Sequence, residues 1–95
     1  MILAAIGNSP VKKSSSKTIE QLVDEHVEAI AHNVRVLRGR MGFSQAQVAN
    51  KAGVARFRIS ELESGRHAPS LTTLVKLHVA LGFPVSVLVG PKLAE

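Results

Sequence analysis

The chain has 95 residues, no cysteine, a hydrophobic content of 45% and a formal net charge of +5. That length suits one domain with one modest core, and that apolar content predicts a folded domain rather than a disordered tail. The missing cysteines exclude disulfides, thiolate chemistry and cysteine zinc sites, and they suit a reducing cytoplasm. No apolar run approaches the ~20 residues of a membrane span. The opening "MILAAIG" is short and has no basic residue before it, so neither a membrane partner nor a secretory signal is expected.

Charge is unevenly placed. Lys12, Lys13 and Lys17 make the start basic, and residues 18–31 carry only acids, Glu20, Asp24, Glu25 and Glu28. Residues 32–70 hold seven Arg and Lys against Glu61 and Glu63. A basic region of that kind attracts polyanions, nucleic acid first. A merely solvated surface is the bland alternative, and charge alone does not choose between them.

In chain order, residues 8–17, "NSPVKKSSSK", read as a linker that closes a flexible N-terminal tail over 1–17. Thr18 then fits an N-cap, with Gln21 as its capping-box partner. Apolar residues follow at Ile19, Leu22, Val23, Val27, Ile30, Val34, Leu37 and Met41, a helical stripe that predicts one long helix from Thr18 to Met41, stopped by Gly42. Its first half, residues 18–33, is the acidic extension. Ser44 caps a second helix, "SQAQVANKA", with Ala46, Val48, Ala49 and Ala52 inward and Gly53 at its end. A third helix is expected over 55–63, with Ala55, Ile59 and Leu62 on one face and Gly65 beyond it. Ser70 caps a fourth, Leu71–Leu81, stopped by Gly82. Pro84 opens a short fifth helix with Val85, Leu88 and Val89, unless the β-branched run "VSVLV" makes a strand. Residues 90–95 read as a C-terminal tail.

Two short helices joined tightly at Gly53–Val54 suggest a helix-turn-helix. Ala49 is small enough for a close crossing, Gly53 supplies the left-handed backbone of the turn, and Ile59 and Leu62 lock the second helix onto the first. Its other face stays free for a major groove. On that face, Phe57 lies about 160° from Ile59 at 100° per residue, between Arg56 and Arg58, with Ser60 and Glu61 nearby.

The stretch "VRVLRGRMGFSQAQVANKAGVARFRISELESGRHAPSLTTLVKLHVALGFPVSVL" resembles the phage repressor/Cro-like helix-turn-helix regulators, the Xre family, over residues 34–89. The segments "LR…MGFSQAQVA", "AGV…IS.LE.G" and "PSLTTLVKL…ALG" fall in order with the right gaps, and the motif proper spans 45–64. The resemblance implies an all-α, five-helix lambda-repressor-like domain, here with an extended first helix. It also implies binding of double-stranded operator DNA as a homodimer on a palindrome. Val48 replaces the family's usual leucine, His78 stands where alanine is common, and the acidic first half of helix one is extra.

The same resemblance distributes roles. Ser44 and Gln45 open the first motif helix, whose positive N-terminus points at a phosphate, and Gln45 also reaches a base edge; as a bland reading, Gln45 is simply surface. On the recognition helix, Arg56 can read guanine or meet a phosphate, and Glu61 can accept from cytosine but needs a base or a cation beside it. Ser60 shares that face. Phosphate contacts fall to Arg40, Ser44, Arg58, Ser64, Arg66 and His67, which fix register without reading sequence. Arg38 and Glu63 are expected to form an ion pair inside the protein. For Phe57 three readings compete: contact with a thymine methyl, cover from the N-terminal segment or a partner, and plain solitary exposure.

Enzymatic readings fail on inventory. His26, His32, His67 and His78 are dispersed, no acid cluster completes a metal site, and no Ser–His–Asp set or glycine-rich phosphate loop has its context. Neither cofactor nor metal is expected. The leading reading is a cytoplasmic, nucleoid-associated, sequence-specific repressor. One rival is an antitoxin that also represses its own operon and uses residues 1–33 against a toxin partner. The other is a helical interaction module without DNA binding, which the basic 32–70 region argues against.

Overall fold

The structure, a computed structural model, describes residues 16–95, so the expected tail lies outside the described residues up to residue 15. Five helices follow: α1 (Ile19–Met41), α2 (Gln45–Ala52), α3 (Arg56–Glu63), α4 (Leu71–Leu81) and α5 (Val85–Leu88). No strand forms among the described residues. The run "VSVLV" is helical because Pro84 sets the entry and Leu88, fully buried, anchors the turn.

Local chemistry sets the ends. Thr18 and Gln21 form a reciprocal capping box at α1, with Gln21 N donating to Thr18 Oγ1 at 3.1 Å and Thr18 N to Gln21 Oε1 at 2.8 Å. Ser44 and Gln47 repeat it at α2, and Ser70 caps α4 through Thr73 N. Gly53 adopts φ 71° where α2 turns toward α3, a conformation that costs an L side chain about 1–2 kcal/mol. By contrast α3 is short, starts after Ala55 without a side-chain cap, and depends on packing for its stability.

The core gathers Ile30, Val34 and Leu37 of α1, Val48 and Ala49 of α2, Ile59 and Leu62 of α3, Leu74, Leu77 and Leu81 of α4, and Leu88. The apolar stripe of α1 is therefore only partly used. Val27, Ile30, Val34 and Leu37 are buried, whereas Ile19, Leu22, Val23 and Met41, toward its two ends, stay exposed. Ala46 and Ala55, expected inward, are exposed as well. Each sits at the N-terminal end of its helix, and the burial of α2 begins only at Val48. His78 is a surface residue whose Nδ1 lies 2.8 Å from Phe83 O, closing the turn after α4.

Two polar clusters join elements that sequence reading keeps apart. Asn33, fully buried in the middle of α1, aims its amide nitrogen at the carbonyls of Val87, Leu88, Gly90 and Pro91 at 3.1–3.3 Å, and its Oδ1 accepts from Leu93 N at 2.8 Å. His32 Nε2 lies 2.7 Å from Leu93 O. Residues 90–93, read from sequence as a tail, are thus strapped along α1, and Leu93 packs against the core.

The second cluster seats α3. Glu63 is 5% exposed, and its carboxylate accepts from Arg38 Nε at 2.6 Å and from Arg38 Nη2 at 2.9 Å. Arg38 Nη1 also donates to Phe43 O at 2.9 Å, and Arg35 donates to the Glu63 carbonyl. Hydrogen bonding to Glu63, stronger than the opposing desolvation, raises the Arg38 pKa above its ordinary value. The pair expected from sequence is present, bidentate and largely shielded from water.

Two stability outcomes follow from these clusters. Asn33→Ala orphans Leu93 N and removes the two amide hydrogens shared among the carbonyls of residues 87–91, and is expected to cost about 2–3 kcal/mol in denaturant unfolding; His32→Ala costs less, since it removes one contact. Glu63→Ala leaves the Arg38 charge without its partner and costs about 3 kcal/mol. The double change Arg38→Met with Glu63→Leu recovers part of that loss, because it removes both charges together.

Candidate nucleic-acid interface

Packing of Ile59, Leu62 and Glu63 against α1 and α2 fixes which face of α3 meets solvent. Arg56, Phe57, Arg58 and Ser60 are exposed on that face, and Glu61 is half-exposed. Phe57 is 68% exposed. The other two aromatics are half-buried at the core edge, Phe43 with Lys51 Nζ 4.9 Å from its ring centroid. Phe57 is therefore the one aromatic side chain offered to a partner.

The amino end of α2 lies next to this face. Ser44 and Gln47 satisfy the cap, which leaves the N–H groups of Gln45 and Ala46 free at the positive end of the helix. Gln45 is half-buried and does not stand alone: its Nε2 donates to Glu63 Oε1 at 3.0 Å, and its Oε1 lies 3.5 Å from Arg56 Nη2. Arg56 thus neighbours Gln45 at the start of α3.

Beyond α3, Ser64 Oγ donates to Glu61 O and accepts from Arg66 N at 3.4 Å, ordering the loop. Arg66 and His67 are exposed. His67 Nε2 lies 3.7 Å from Glu61 Oε2, which gives that carboxylate a neighbour able to carry positive charge. Arg58, Glu61 and His67 line one shallow depression beside Ser70. Among the described residues, no three His, Asp or Glu side chains converge as metal ligands.

Arg40 contacts the C-terminal segment. It sits two positions after Arg38, about 200° around the helix, and its Nη2 donates to Ala94 O at 2.6 Å. The C-terminal segment thus meets Arg40 on the side of α1 away from Glu63. Asn33 and Gln45, by contrast, carry more than sequence reading assigned them. A polar residue at 33 inside an apolar stripe is the available signal for the first. For the second, the spacing of 18 residues between Gln45 and Glu63 crosses a turn and hides the contact.

The sequence model of the helix-turn-helix family matches residues 34–88, more than half of the chain. An immunity repressor protein of Bacillus phage phi105 is 34% identical over 61 residues, 64% of this chain and 42% of the phage protein. The chain thus spans less than half the length of that relative. Among solved structures, the hypothetical transcription factor NHTF from Neisseria shares 31% identity at a TM-score of 0.66, over 68% of this chain and 75% of that one. The restriction-modification controller protein C.AhdI from Aeromonas hydrophila shares 29% identity at a TM-score of 0.63, over 65% of this chain and 94% of that one. The family match begins at Val34 and leaves the first half of α1 outside it. With α2, the Gly53 turn and α3 arranged as described, the chain belongs to the helix-turn-helix family of phage-repressor (Xre) type, whose members are DNA-binding transcription regulators.

Proposed function

We propose that the protein is a sequence-specific transcriptional repressor that works in the cytoplasm and binds, as a homodimer, the major groove of a palindromic operator. The carrying observation is the exposed Arg56–Phe57–Ser60 face of α3, clamped from behind by Ile59, Leu62 and the Arg38–Glu63 pair. A short helix held rigidly on one side and bare on the other suits insertion into a groove.

Arg56 reads guanine O6 and N7, Phe57 packs on a thymine methyl, and Ser60 and Glu61 meet neighbouring base edges. The free N–H groups at the start of α2, with Ser44, take one phosphate. Arg58, Ser64, Arg66 and His67 take the next along the strand. The second copy of a dimer has exposed apolar side chains to meet at Leu71, Val75 and Val79 of α4, whereas the Val85–Leu93 segment is already engaged by α1 within the chain. An additional antitoxin role is favoured by one observation: Ile19, Leu22 and Val23 are exposed among the acids of the α1 extension, an arrangement suited to a protein partner.

Selection from a randomised duplex pool tests the proposal. A preferred duplex is expected, with affinity falling steeply as salt rises; the absence of any sequence preference at every salt concentration refutes it. Arg58→Ala and Arg66→Ala each weaken all duplexes alike and lower the log–log salt slope by about one. Arg40→Ala leaves both affinity and slope close to wild type. Phe57→Ala lowers affinity most for duplexes with thymine at its contact and by about 1 kcal/mol there; equal affinity for all four bases at that position removes Phe57 from the reading set.

A further inference from the structure

The first half of α1 is sorted by chemistry around its axis. Ile19, Leu22, His26 and Ala29 recur at spacings of three, four and three, so they fall along one line of the helix. Ile19, Leu22 and His26 on that line are exposed, and Ala29 is half-buried. The acids sit elsewhere. Glu20, Asp24 and Glu28 lie about 140–180° from the line, and Glu25 about 80°. Lys17 pairs with Glu25, and Lys92 with Glu28. The His26 ring turns back on its own helix, with Nδ1 2.7 Å from Leu22 O. At Ala29 the line runs into a shallow groove whose far wall is Val89, Gly90 and Pro91.

We infer that this line is a contact between two copies of the chain, paired antiparallel through the first halves of α1, with Ile19 of each copy seated in the Ala29–Val89–Pro91 groove of the other. One face carries both an apolar ridge and a groove, about 15 Å apart along the axis. A two-fold axis near residue 24 brings each ridge to the other copy's groove, so the contact is self-complementary. Leu22 and His26 then meet across that axis. Charge favours a second copy over a basic protein. Glu20, Asp24 and Glu28 face away from the line, so they neither repel an identical helix there nor recruit a cation to it. The line lies before Val34, where the family match begins, and the exposed Leu71, Val75 and Val79 of α4 take no part in it. Arg38, which seats α3, is about 21 Å from the axis, and both α3 faces stay outside the contact. Four positions and a groove on each copy bury less than the ~1,600 Å² of a stable pair, so the association is weak, about micromolar or above. The inference does not depend on the DNA-binding reading.

Sedimentation equilibrium of the full chain without DNA, with cross-linking beside it, decides the matter. The mass is expected to rise with concentration, and Leu22→Asp to move the midpoint about tenfold higher or more, since it places a charge in the seam. Thermal melts verify that each variant folds. The chain has no cysteine of its own, so Ile19→Cys combined with Ala29→Cys reports the register. Within one chain these positions are about 15 Å apart, beyond disulfide reach, and any bridge joins two copies. The double variant is expected to form covalent dimers on mild oxidation. Each single variant does so about tenfold more slowly, because like positions stay too far apart in the antiparallel pair. Equal masses for wild type and Leu22→Asp at every concentration overturn the inference, and so does equal cross-linking of single and double variants. Association lost in Val79→Asp but kept in Leu22→Asp moves the self-contact to α4 and overturns it too. A full chain that never associates overturns it and leaves the face to residues 1–15 or to another protein. None of these outcomes touches the repressor reading, which is tested with DNA.

Discussion

A carboxylate removed from water costs several kcal/mol unless it is paired and hydrogen-bonded. Glu63 meets that demand with a bidentate arginine from α1 and an amide from α2. Three helices are therefore tied at one residue on the last turn of α3. That helix has few resources of its own: eight residues, no side-chain cap and no acid in its first turn. Ile59 and Leu62 supply the affinity between α3 and the core, but apolar contact is non-directional. The charge-assisted bonds to Glu63 have direction, so they set the rotation of α3 and with it the residues that face outward. Arg35, donating to the Glu63 carbonyl, adds a cation at the negative end of the same helix.

The other end of the assembly uses the same device with neutral groups. Asn33 collects the C-terminal backbone onto α1 much as Glu63 collects α3. Between them, the two residues turn a single long helix into the frame on which everything else hangs. Asn33 faces α5 and the strap, and Arg38, a turn and a half further on, faces α3. Both are polar atoms placed where a misfit leaves buried groups unpaired, so each also penalises wrong packing.

Much of this was legible in the sequence. Every cap named from it, Thr18, Ser44 and Ser70, sits where the serine or threonine chemistry puts it, and Gly42, Gly53, Gly65 and Gly82 all take positive φ. Those signals are local, and local geometry decides them. The misreadings are of a different sort. Ala46, Ala55 and the ends of the α1 stripe have the right periodicity for burial, yet periodicity says nothing about whether a neighbour is present. Arg40 shares its chemistry with Arg58 and Arg66, and only the path of residues 91–95 brings the Ala94 carbonyl to it. On the outward face of α3, the exposed set around Phe57 followed from helical spacing, while the Gln45–Glu63 contact required knowing how α2 crosses α3.

The charge pattern along α1 gains a physical sense from its length. Glu20 and Arg38 lie 18 residues apart on one continuous helix, roughly 27 Å along its axis, and even Glu28 is roughly 15 Å from Arg38. The Debye length at physiological ionic strength is about 8 Å. The four acids of the extension are thus screened from the basic surface around α3, and they do not cancel its pull on a polyanion. A shorter helix with the same composition would place the two fields on top of each other. Length, together with the Lys17–Glu25 and Lys92–Glu28 pairs, keeps the acidic, partly apolar end of α1 electrically separate from the basic surface around α3.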